Sequence, residues 1–110
     1  MRKTSLDARV REHLERATSA PTGRRAETVY GGHEHVPRQT LITLRAGASL
    51  AEHDHPGEAT VLVPRGRVRL HSGGTFREGV AGDLLVVERA RHGLEAVEDP
   101  AALLTVARKP

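Results

Sequence analysis

The chain contains no cysteine and no tryptophan, and its aromatic content is a single tyrosine and a single phenylalanine. Without cysteine there is no disulfide framework, no thiolate metal site and no cysteine nucleophile, so any bound metal must be held by nitrogen and oxygen. With only Tyr30 and Phe76 as aromatic rings, the core has to be built from Val, Leu, Ile and Ala. The same scarcity removes the stacking platform that single-stranded nucleic acid needs. No apolar run approaches the length of a membrane span. The N-terminus has no signal-peptide core, and Asp7, Glu12 and Glu15 argue against an acid-poor transit peptide, so the cytoplasm is the expected setting. Nucleophile-elbow, P-loop and dinucleotide fingerprints are all missing. A carboxylate pair of glycosidase type is not singled out by any spacing.

What is present is 110 residues of ordinary globular composition, 37% hydrophobic and 28% charged, enough for one domain. The net charge of +3 is unevenly spread. Residues 1–25 hold seven Lys/Arg against three Asp/Glu, and the rest holds ten against eleven. The basic excess therefore belongs to an N-terminal arm, and nucleic acid is not an expected partner.

That arm, TSLDARVREHLERATSA, reads as an amphipathic helix. Thr4 and Asp7 have capping-box spacing, and Leu6, Val10, Leu14 and Ala17 fall on one face. His13 sits among charges and reads as solvated. The helix is expected to pack on the domain or on a second subunit, in preference to a membrane surface. Pro21, Thr22 and Gly23 break it, which divides the chain into a helix and linker over 1–26 and a β domain over 27–110.

Beyond the linker come TVY, QTLITLRA, ATVLVPRGRVRLH, DLLVVERA, HGLEAV and ALLTVAR, short runs separated by Gly, Pro and Asp. Five or six strands without intervening helices predict an antiparallel sandwich or barrel. Pro64-Arg65-Gly66 predicts a hairpin turn or bulge. Arg65, Arg67 and Arg69 alternate with Val68 and Leu70, which predicts a solvated arginine face.

The chemistry concentrates in EHDHPGEAT, residues 52–60. On a regular strand His53 and His55 project from one side, a spacing that lets two imidazoles grip one ion. A second H-x-H pair, His33 and His35, lies in VYGGHEHVPRQT; with Tyr30, Arg38 and Gln39 it is a candidate pocket rim, and a plain surface loop is the simpler reading. His71 reads as a hairpin-end residue.

Gly47, His53, His55 and Gly66 follow G-x5-H-x-H-x(3,4)-E-x6-G, and GDLLVVERARHGLEA resembles G-x5-P-x-G-x2-H-x3-N. These are the two motifs of the cupin superfamily, and over residues 40–107 the chain resembles a small single-domain, RmlC-like cupin. The resemblance implies an all-β fold, the double-stranded β-helix or jelly-roll barrel, here with an N-terminal amphipathic α-helix. It also implies a divalent transition metal (Fe, Zn, Mn, Ni or Cu) held by His53, His55 and His92, a small-molecule ligand and a homodimer. The chemistry implied is of dioxygenase, isomerase or cyclase type on a small oxygenated or aromatic molecule. Some members have lost metal and only bind ligands, so a non-catalytic ligand-binding or sensory role stays open.

The departures are specific. The motif's glutamate falls at position 59, which is Ala59. Glu58 lies one residue early and reaches a metal only if the PGE turn bulges. Glu88, Ala90 and Ala96 replace the second motif's proline, glycine and asparagine, and His92 comes one residue early. Glu52, Asp54 and Glu58 are candidates to orient a ligating imidazole.

Overall fold

The computed structural model describes residues 1–54, 57–87 and 91–108. One helix, α1 (Leu6–Ser19), precedes seven strands: β1 (Arg24–Gly31), β2 (Pro37–Leu44), β3 (Ser49–His53), β4 (Gly57–Ser72), β5 (Thr75–Val80), β6 (Leu84–Val87) and β7 (His92–Arg108). Every strand pairing is antiparallel. No helix among the described residues is long and apolar enough to cross a membrane.

Two long strands make the architecture. The first half of β7 pairs with β3 and the second half with β2, while β4 pairs first with β6 and then with β5. The β4–β7 ladder runs regularly from Gly57↔Arg108 to Leu62↔Leu103 and again from Val68↔Ala96 to His71↔Gly93. Between these stretches the register shifts repeatedly. Both strands turn a corner there, so each contributes to two layers that face one another.

Gly66 makes the corner close. Its φ is +80°, and a Cβ at that position would lie 2.7 Å from the Glu98 carbonyl oxygen and from Pro100 Cα. Only glycine tolerates both the left-handed backbone and that approach. The Pro64–Gly66 break is thus a bulged corner within a continuing strand rather than a hairpin turn.

Between the layers lies an aliphatic core that includes Ile42, Leu44, Val61, Val63, Val68, Leu70, Leu85, Leu94 and Val106. Full burial of such side chains contributes about 1.5–3 kcal/mol each. Neither aromatic ring takes part, since Tyr30 and Phe76 are both exposed. The core is as aromatic-poor as the composition requires.

Helix α1 covers the outer side of β2. Its cap is Ser5, whose Oγ accepts the Ala8 N–H at 3.2 Å, rather than Thr4. Val10 packs on Leu41 and Ala101. The buried face is Val10, His13 and Ala17, with Leu6 and Leu14 half-buried. His13 is therefore a packed residue, 2% exposed, and not a solvated one. Arg25 Nε–H donates to its Nδ1, Glu27 Oε2 lies against its Nε2, and Thr43 Oγ1 donates to its carbonyl at 3.1 Å. A guanidinium can only donate, so Nδ1 accepts and the ring proton sits on Nε2, facing Glu27. Arg25 compensates the burial of Nδ1, while Nε2 has the Glu27 carboxylate beside it without a hydrogen bond.

The outer face of the other layer carries an ion-pair ladder. Arg67 reaches Glu78 Oε1 at 3.1 Å and Glu98 Oε1 at 3.4 Å. Arg69 lies 3.7 Å from Glu95 and over the Phe76 ring. His71 Nε2 meets Glu95 Oε2 at 2.9 Å. The hydrogen bond and charge of Glu78 hold the Arg67 guanidinium above its ordinary range. The arginine face is exterior, as its alternation predicts, but paired.

Candidate functional site

The open end of the two layers is where His53 and His92 of the motifs meet. His53 ends β3 and stands opposite His92, the first residue of β7. Their ring centres are 5.1 Å apart and the planes are inclined by 43°. His92 is 3% exposed, on the inward-facing series that continues through Leu94 and Ala96. Its early position in the second motif does not turn it away from the interior.

The pairing depends on a bulge. Leu50 lies opposite Leu94, and a regular ladder would then put Glu52 opposite His92; one extra residue in β3 puts His53 there instead. Gly93 admits the bulge. A Cβ on Gly93 would lie 2.6 Å from the Leu50 carbonyl oxygen and 3.0 Å from the Glu52 nitrogen, so any larger residue would collide with the displaced backbone. Two hydrogen bonds fasten the rim: Arg91 Nη2 donates to the Glu52 carbonyl at 3.0 Å, and Ser72 Oγ donates to the Arg91 carbonyl at 2.8 Å.

The donor set suits a transition ion. Two imidazoles coordinating one ion at about 2.0–2.1 Å and a roughly tetrahedral angle hold their ring centres about 5 Å apart, the separation found here. His53 Nδ1 lies 3.2 Å from the Ala51 carbonyl. A proton donated there fixes the tautomer and leaves Nε2 with its lone pair, the usual backing for a ligating histidine. Among the described residues no three His, Asp or Glu side chains converge. His55, the third expected ligand, lies outside the described residues.

The acids do not complete the set. Ala59 lies opposite Val106 and Val87 and is 4% exposed, so position 59 does face the interior. Glu58 is opposite Ala107 in a ladder that is regular from Gly57. It is exposed, on the opposite side of β4 from Ala59, and among the described residues, from Gly57 onward, no bulge turns it towards the histidines. Asp54 is exposed, and Glu52 serves the rim through its backbone.

The second candidate group divides. Arg38 lies opposite Val106, in one cross-strand row with Val106, Ala59 and Val87, and so belongs to the inner face of β2. Tyr30 pairs with Gln39 on the other face, and Gln39 Nε2 donates to Thr105 Oγ1 at 3.2 Å. His35 packs against Tyr30, ring centres 5.3 Å apart. These three line an exterior cleft with Arg2 and Leu6, not the barrel mouth. His33 is exposed in the turn between β1 and β2.

Arg77, which no motif covers, borders the interior. It lies opposite Leu70 and lines a cleft of about 440 Å³ with Leu70, Ser72, Val87 and His92. Strand alternation alone does not say which side of TFREGV faces in; only the pairing with β4 does. The arrangement is a hydrophobic barrel whose mouth carries two facing imidazoles and an arginine.

Known structures of the same shape are numerous. The chain is similar to a conserved protein of unknown function from Streptococcus pyogenes, at 21% identity and a TM-score of 0.73 over 86% of this chain and 85% of that one. It is also similar to an RmlC-like cupin from Desulfovibrio desulfuricans, at 27% identity and a TM-score of 0.69 over 76% and 81% of the two chains. A cupin superfamily protein from Desulfitobacterium hafniense matches at 15% identity and a TM-score of 0.71 over 78% of each chain. No protein-family model and no curated protein matches the sequence.

Proposed function

On the premise that this chain has the cupin fold, we propose that it binds a small oxygenated or aromatic molecule at a divalent transition-metal site held by His53, His55 and His92. The observation that carries the reading is the buried His92 facing His53 across a bulge that Gly93 permits. The ion, when bound, would supply Lewis acidity or oxygen activation, chemistry of dioxygenase, isomerase or cyclase type. The protein supplies the rest. Ala51 orients His53 through Nδ1, Arg91 and Ser72 fix the rim, and Leu70 and Val87 offer an apolar wall to the ligand. Metal analysis of untagged protein tests this: about one ion per chain in the wild type, lost in His53→Ala and His92→Ala. No stoichiometric metal, or uptake indifferent to both substitutions, would overturn it.

A second reading, a non-catalytic ligand-binding cupin, is favoured by Ala59. The inward position that the motif gives to an acid carries a methyl group in an aliphatic wall. Under this reading a small molecule stabilises the protein equally after chelation and is not turned over.

The working unit we propose is a homodimer formed through β6. Among the described residues β6 is paired only with β4 and carries Leu84 and Val86 outward, 61% and 70% exposed. Branched side chains displayed together on a sheet edge are the kind of surface that a second chain covers.

A further inference from the structure

The arginines of the second layer fall into two environments. Arg67 and Arg69, on the outer face of β4, are matched by Glu78, Glu95 and Glu98. Arg77 is on the other side. It lies opposite Leu70, a core side chain, which fixes it on the inward face of β5 at the open end of the barrel. No carboxylate of the described residues is within ion-pair distance of it. It borders the same cleft as His92.

We infer that Arg77 is the carboxylate-recognising residue of the ligand site, so that the ligand is a small organic acid. The inference rests on the proposed site at the barrel mouth. A guanidinium keeps its charge throughout the accessible pH range and presents parallel N–H donors that match the two oxygens of a carboxylate. Its exposed guanidinium stands beside the apolar Leu70 and Val87 with no acid paired to it among the described residues, and an anion is its natural complement. The outer-face glutamates cannot serve, because the sheet lies between them and Arg77. The cleft, about 440 Å³, is of the size that takes a small molecule. A ligand with its acid group on Arg77 would lay its apolar body along Leu70 and Val87 towards His92. Ser72 Oγ and Thr75 Oγ1 already donate to backbone carbonyls, and Arg77 is the one guanidinium among the described residues that line the cleft.

Calorimetric titration of the full chain with benzoate, benzamide and phenyl phosphate tests this, with metal content measured on each sample. Benzoate is expected to bind the wild type at least tenfold more tightly than benzamide. Arg77→Met should lose that preference, and Arg77→Lys should keep part of it. Equal benzoate affinity in wild type and Arg77→Met, or no benzoate binding at all, overturns the inference. So does a preference for phenyl phosphate, which would make the cleft a phosphate site. Arg77 is exposed, so Arg77→Met should keep the wild-type melting temperature and metal content. Arg77-dependent benzoate binding by protein without metal would uphold the carboxylate site and remove the metal reading, so the two fail separately.

Discussion

His53 and His92 face each other across the β3–β7 pair with ring centres 5.1 Å apart, and one inserted residue in β3 creates that relationship. The side chain missing from Gly93 leaves room for the insertion. Gly93→Val should therefore lower stability by about 2–4 kcal/mol, through overpacking against backbone that cannot yield. It should also abolish metal uptake. Urea unfolding with metal analysis checks both; a stable Gly93→Val protein that keeps its metal would mean the bulge does not depend on this glycine.

Ala59→Glu returns an acid to the inward row of β4. Without metal the acid, neutralised by its burial, should cost about 1–3 kcal/mol. With metal it should raise affinity at least tenfold by adding an anionic ligand. Thermal unfolding with and without zinc measures the pair of effects, and a destabilisation that zinc does not relieve would place position 59 out of reach of the histidines.

His13→Leu removes the ring that Arg25 and Glu27 share beneath α1. A loss of about 2–3 kcal/mol is expected, since Arg25 loses its hydrogen-bond acceptor and Glu27 its close neighbour on the buried ring. Unfolding as neutral as a surface substitution would show that the ring serves only as filler.

Leu84→Glu combined with Val86→Glu should leave folding intact, because both side chains are exposed. It should convert a dimer to a monomer in light scattering. An unchanged mass would move the interface elsewhere.

Much of this was legible in the sequence, and the failures have physical causes. The three glycines and three histidines of the motifs point to the barrel, and Ala59 faces inward where the motif puts its acid. The H-x-H spacing assumed a regular strand. His53 reaches His92 through a bulge, and a bulge is set by the partner strand's backbone rather than by local pattern. His13 looked solvated because its neighbours in sequence are charged, yet its burial comes from β1 and β2, which supply Arg25, Glu27 and Thr43. Tyr30, His35 and Gln39 lie close to Arg38 in sequence, but strand alternation sends Arg38 to the other face of β2. Arg77 carries no local signal at all: its inward aim follows from its register with Leu70.

The most direct measurement is anomalous diffraction from crystals of untagged protein grown with zinc, collected at the zinc edge. The account predicts one peak at the barrel mouth, about 2.0–2.1 Å from one nitrogen each of His53 and His92, with His55 completing the set. A map with no peak between those two rings, or one only at His33 and His35, would contradict it.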